Sequence, residues 1–295
     1  MTNTERTERT ERMKDRKFGI EIEVERISRS GAAGAVARAL TAAGIADVSE
    51  GGERVYSALG TWNVVHDGSL NSGCEVVSPP MTYRDSINAL QEVVRELRRA
   101  GAKVESSCGV HVHVSTEGLD ARNVANLAKM IFSKQQVIRR ALNVSDRRWG
   151  HYTAPLEQDW VRSISRARSM DSLKRAWYRT SSIQRANSHA GSRYDSSRYH
   201  GLNLHSVFYR GTAEFRFFNG TLHAGQIRAY VAFCLAAVQT AKETRGFQIR
   251  ECQASDQRHE FRTFLWRNLA LVGEEFAAVR EHLTKNLPTR ARVAA

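Results

Sequence analysis

The sequence is short of the features that hold disulfide-stapled or membrane proteins together. Its four cysteines, Cys74, Cys108, Cys234 and Cys252, form no C-x-x-C pair, which argues against a disulfide framework or a thiolate zinc site and for reduced thiols in a cytoplasm. The longest apolar run, AYVAFCLAAV at 229–238, has ten residues, well below the roughly 18 of a membrane span, so no membrane partner is expected. The first residues are charged and lack the apolar core of a secretion signal. No G-x-x-x-x-G-K-[ST] stretch occurs, which excludes a Walker phosphate loop. Acidic residues are also in deficit, 31 against 44 Lys and Arg, for a net charge of +13.

That charge is unevenly spread. Between Arg139 and Arg198 stand twelve Arg and one Lys against five Asp or Glu, an excess of eight in 60 residues that are also rich in Ser and Tyr. Such a segment suits a nucleic acid or another acidic partner, and equally a mobile, solvated insertion; both readings stay open.

Patterning gives the expected organisation. TERTERTER offers no core residues, so residues 1–16 are expected to be a disordered tail. One domain is expected over 17–295, with the basic insertion-like segment at 139–198 and a helical C-terminal extension from about 245. In KFGIEIEVERI, Phe18, Ile20, Ile22 and Val24 alternate with Gly19, Glu21, Glu23 and Glu25, which predicts a strand with one apolar and one carboxylate face. Helices are predicted over 31–44, from an N-cap at Thr82 to Gly101, after Asp120, and over 224–243. WNVV and EVVSPP flank a turn at Asp67, Gly68, Asn71 and Gly73; HGLNLHSVFY and GTAEFRFFNGTL read as two further strands. The mixture predicts an α+β domain with helices on one face of a largely antiparallel sheet.

The polar faces of these strands carry unusual residues. SSCGVHVHVST at 106–116 locks His111 and His113 into a ladder of Val110, Val112 and Val114. Glu214 and Arg216 alternate in the same way with Phe215 and Phe217, and Glu75 sits in the strand after the turn. Glu21 and Glu23, about 6.6 Å apart on one strand, repel by about 2 kcal/mol at an effective dielectric near 20. Water would screen that; a cation would reverse it. Carboxylate-rich sets favour hard ions such as Mg²⁺ or Mn²⁺, with zinc a minority option through the histidines. Each piece alone has a plainer reading, as a solvated face or a cross-strand ion pair. Cys74 and Cys108 beside these motifs read as small buried residues, and Asp67 with Ser69 as an Asx-type turn or as groups that orient substrate.

GIEIE at 19–23, DGSL at 67–70, EVVSPP at 75–80, SCGVHVHV at 107–114 and EFRFFNGTL at 214–222 together resemble, in that order, the amidoligase family. This family belongs to the glutamine synthetase and glutamate-cysteine ligase superfamily of carboxylate-amine ligases. The resemblance spans Lys17 to Thr244 and is weakest over 139–198. It implies a glutamine-synthetase-like catalytic domain that uses ATP and Mg²⁺ to phosphorylate a small-molecule or peptide carboxylate, which an amine then converts to an amide or isopeptide. It further implies that Glu21, His111 and Glu214 hold one metal ion and Glu23 with Glu75 another, and that Arg216 stabilises the phosphoryl group in flight. His113 would contact phosphate or support His111, and Arg198 and Asn203 would reach nucleotide or substrate. A neighbouring subunit completes some superfamily sites, so an oligomer is possible, and the sequence does not give the oligomeric state. Two rivals use the same residues: a metal-dependent hydrolase, and a non-catalytic nucleic-acid-binding descendant of the ligase fold.

Overall fold

The structure is a computed structural model that describes residues 2–180, 192, 194–251 and 256–288; Cys252 and part of the basic segment lie outside the described residues. The strands are β1 (Lys17–Val24), β2 (Ser49–Glu50), β3 (Arg54–Tyr56), β4 (Trp62–Val65), β5 (Cys74–Val77), β6 (Met81–Thr82), β7 (Gly109–Ser115), β8 (Leu202–Asn203) and β9 (Thr212–Asn219). They form one sheet in the order β2-β3-β4-β5-β1-β7-β9-β8, with β6 also paired to β1. Every pairing of these strands is antiparallel. The helices are α1 (Asn3–Lys14), α2 (Arg29–Ala42), α3 (Tyr83–Arg99), α4 (Ala121–Ala141), α5 (Asp146–His151), α6 (Gln158–Ser165), α7 (Met170–Thr180), α8 (His205–Arg210), α9 (Ala224–Glu243), α10 (Gln257–Thr263) and α11 (Ala277–Thr284).

The period-2 pattern of β1 does what it predicts. Phe18, Ile20, Ile22 and Val24 are fully buried, as are Val110, Val112 and Val114 of β7, so both strands turn the same kind of face to the helices. Helix α9 packs on β7 and β9, α2 on β3 to β5, and α3 and α4 flank α9. The ten-residue apolar run falls in the middle of α9, where every residue from Ala229 to Ala241 is buried. A helix apolar all round belongs inside a core. Thr82 and Asp120 cap α3 and α4 through their side-chain oxygens, as their spacing predicts.

One irregularity interrupts the ladder between β7 and β9. Between β7 and β9 the register runs Val112↔Phe215 and then Val110↔Phe218, so β9 carries one extra residue there. The Phe217–Phe218 pair fills the bulge with two buried rings stacked edge-on at 4.7 Å.

Three expectations need correction. Residues 1–16 are not a disordered tail. Thr2 and Glu5 form a capping box that starts α1, and the helix docks through buried Met13, through Arg9 and Arg12 on Glu243, and through Glu11 and Asp15 on Arg84. A charge-rich repeat can be helical when partners for the charges wait on neighbouring helices. HSVFY is not strand: β8 stops at Asn203, and α8 follows, closed by Gly211 at φ 70°. The described part of 139–198 is not a solvated insertion either. Trp160 and Trp177 are fully buried, with ring centres 4.1 Å apart, and α6 packs on α4.

Candidate functional site

The polar face of the sheet forms the floor of a cavity of about 620 Å³. Glu21 and Glu23 of β1, Glu75 of β5, His111 and His113 of β7, and Glu214 and Arg216 of β9 all line it, as do Asp67, Ser69, Arg198 and Asn203. The structure therefore brings together every site residue expected from the sequence. The pairing of the strands is what does so: Glu23 sits opposite Glu75, Glu21 opposite His111, and His113 opposite Glu214.

Glu25 continues the carboxylate face of β1 but serves another purpose. It is buried, and its two oxygens accept the backbone N–H groups of Asn71 and Ser72, both at 2.9 Å. Gly73 allows this approach, since a Cβ there would stand 2.0 Å from the Val24 carbonyl oxygen. So anchored, the loop puts Asp67 at the cavity, in an Asx turn with its Oδ1 accepting from Ser69 N–H at 2.7 Å.

Three groups of side chains offer ligand atoms within 4.8 Å of one another: Glu21 with His113 and Glu214, Glu21 with Glu75 and His111, and Glu23 with Asp67 and Glu75. The expected set of Glu21, His111 and Glu214 is not among them, because the β7–β9 register puts His113, not His111, beside Glu214. His111 instead donates from Nδ1 to Glu21 at 3.1 Å, with Nε2 3.6 Å from Glu23. His113 presents Nε2 to Glu21 at 3.2 Å and to Glu214 at 3.9 Å. That nitrogen is buried without a hydrogen-bond partner, while Nδ1 faces the Thr212 hydroxyl at 3.4 Å. A ring nitrogen left over in a carboxylate cluster, with the other nitrogen held by a neutral oxygen, suits a metal ligand.

Electrostatics separate the carboxylates. Burial alone would raise the Glu21 carboxyl, but the charge of His113 and the hydrogen bond from His111 hold it well below its ordinary range. Glu214 is likewise buried, yet Arg216 and His113 bring it down to about 2. Arg216 donates to one Glu214 oxygen and Asn203 Nδ2 to the other, at 2.6 Å. Glu75 lacks such partners: burial, then Glu21, Glu23 and Asp67, push it up to about 9. His113 is raised, since Glu21 and Glu214 outweigh its burial. An oxygen-rich set with two imidazoles and one carboxyl that resists ionisation fits a hard divalent cation, which would compensate the crowding that raises Glu75.

Other lining residues escaped the sequence reading: His66, Arg148, Tyr152, Tyr194, Tyr199, His205, Tyr209 and Arg210. Only Arg148 left a local trace. Gly109, which precedes the histidine ladder, donates its N–H to Glu23 at 2.5 Å, and a Cβ there would lie 2.3 Å from an Arg148 nitrogen. The glycine makes room for a guanidinium.

A solved structure of a bifunctional glutathione synthetase from Pasteurella multocida is similar over 97% of this chain at 13% identity and a TM-score of 0.42. The chain spans 49% of that protein's length. None of the curated proteins compared matches the chain. A family model described as "Putative amidoligase enzyme" matches residues 14–238, about three quarters of the sequence, and the chain belongs to that family.

Proposed function

We propose that this cavity joins a carboxylate to an amine at the expense of ATP, through an acyl phosphate, with Mg²⁺ or Mn²⁺ as the resident ion. Family membership supports amide formation. The observation that carries the reading further is the overlap of three carboxylate-containing ligand groups beside Arg216 on one sheet face. Such a floor suits phosphoryl transfer, which depends on positioning and charge compensation more than on a protein nucleophile.

Glu21, His113 and Glu214 would hold one ion and Glu23, Glu75 and Asp67 a second, with His111 tying Glu21 to Glu23. When bound, these ions would supply the positive charge that draws in the nucleotide phosphates and offsets charge on the transferring group. Asn203 and Arg216 fix Glu214 from both sides. The second edge of the Arg216 guanidinium is then available to orient phosphoryl oxygens. The substrate carboxylate oxygen takes the γ-phosphoryl group and ADP leaves. The amine nitrogen then bonds to the acyl carbon, the carbon–oxygen bond to phosphate breaks, and phosphate departs as the nitrogen sheds its proton. No protein nucleophile is needed.

The test is ADP formation across pairs of carboxylates and amines in the presence of Mg²⁺, with mass spectrometry of the products. ADP that appears only when both partners are present, matched by a condensed product, is the expected result. Phosphate release that needs neither partner, or cleavage of amides by water alone, would replace the ligase with a hydrolase.

A further inference from the structure

We infer that Arg148 and Arg198 form an anion-binding subsite in the cavity, built to take a phosphate or carboxylate group. Which reactant supplies that group rests on the ligase reading; the subsite itself does not. Four arginines line the cavity, and they divide into two kinds. Arg216 is paired with Glu214, and Arg210 stands 3.6 Å from Glu21. Arg148 and Arg198 have no carboxylate oxygen within 4.0 Å among the described residues.

Arg148, in the first turn of α5, is 3% exposed. Two of its nitrogens donate to the backbone carbonyls of Ser107 at 3.4 Å and Arg216 at 3.0 Å, and the third, Nε, is buried without a partner. Carbonyl dipoles align a guanidinium without neutralising it, and an arginine cannot shed its proton to relieve the burial. Arg198 repeats the pattern from a separate turn. Its guanidinium lies 5.2 Å over the Tyr194 ring and 4.9 Å over the Tyr199 ring, it donates to the Tyr199 hydroxyl at 3.0 Å, and its Nε is buried without a partner. Tyr152, which follows α5, meets Tyr199 edge-to-face at 6.3 Å and joins the two arginines' elements.

A purely architectural role accounts for half of this. Arg148 staples the start of β7 to β9, and a staple between carbonyls has no need of a formal charge. Arg198 donates to no carbonyl among the described residues; its partner is the Tyr199 hydroxyl. Two cations that line one cavity and have no carboxylate in ion-pair reach among the described residues, with Glu23 attracting Arg148 only from farther off, fit an oxyanion that brings its own charge.

The experiment measures binding to the full-length protein by calorimetry, with Mg·ADP as the phosphate probe and glutarate as the carboxylate probe. Wild type, Arg148→Gln, Arg148→Lys and Arg198→Gln are compared, each checked by circular dichroism. Loss of a charged fork from an anion costs about tenfold or more in affinity, so Arg148→Gln and Arg198→Gln should each weaken at least one probe to that extent. Loss confined to Mg·ADP assigns the subsite to the nucleotide, and loss confined to glutarate assigns it to the carboxylate substrate. If Arg148→Gln does not fold, Arg148→Lys and Arg198→Gln carry the test, with the lysine variant losing less than Arg198→Gln. Unchanged affinity for both probes in the folded variants, with only a lower melting temperature at position 148, overturns the subsite. So does a wild type that binds neither probe at millimolar concentration. A protein that binds the probes through these arginines yet forms no ADP with any substrate pair would sink the ligase reading alone.

Discussion

The two sides of the cavity come from different kinds of chain. On the floor, Glu21, Glu23, Glu75, His111, His113, Glu214 and Arg216 stand on four paired strands, so strict alternation decides where each side chain points. On the wall, Arg148, Tyr152, Arg198, Tyr199 and His205 stand on short helices and turns between 146 and 210. Their neighbourhood depends on how a small Trp-centred cluster packs against α4 rather than on any local period. The floor carries chemistry that a family can share; the wall is where a substrate would be distinguished.

The largest effect should come from the floor. Glu214→Gln and Glu21→Gln each remove an anionic donor from the His113-centred group, and the expected loss of Mg·ATP-dependent turnover is about a thousandfold or more with the far-UV spectrum intact. A few-fold loss in either variant would mean that these carboxylates serve the sheet and not the reaction. The wall should yield first to acid. His200 packs against both Trp160 and Trp177, at 4.5 and 5.6 Å, and donates from Nδ1 to the Ser197 carbonyl at 2.8 Å. Burial holds it down at about 4 against its ordinary 6.5, despite the opposing pull of that hydrogen bond. The unfolded chain therefore takes up the proton first. Stability is full above pH 6.5 and falls by about 1.4 kcal/mol per unit between 6.5 and 4, on the order of 3 kcal/mol in all. Tryptophan fluorescence during acid titration reads this, and a profile flat over that window would show His200 to be charged in the fold. The smallest effect is expected at the junction of floor and wall. Arg216→Lys keeps the charge but not the fork, with a rate loss of about ten- to thirtyfold; a change under twofold would reduce Arg216 to an ion-pair partner of Glu214.

This contrast also explains what the sequence made legible. The valine ladder fixed the face of both histidines, and the Ile and Phe positions of β1 fixed that of its glutamates. The exchange of His111 for His113 beside Glu214 was hidden, because it follows from the register of β7 on β9, and a slip of two residues between strands leaves every side chain on its own face. The aromatic and β-branched content of HSVFY favours a strand in isolation; in context it is a single turn of helix between two strands. TERTERTER has no period that reveals docking, since its partners Glu243 and Arg84 are far away in sequence.

β1 is the central rod of the molecule, and Glu25 marks its end. Along that rod the same kind of side chain is used first to build the floor and then to moor the 66–72 loop, so loop and floor share one origin of coordinates. Lengthening the loop by a residue would move Asp67 while leaving Glu21 and Glu23 in place, and shifting β1 by two residues would move all of them together. The separation between Asp67 and the β1 carboxylates is thus set by two lengths together, the run of β1 to Glu25 and the run of the loop back from its anchor at Asn71 and Ser72, and it is that separation a substrate or ion would measure.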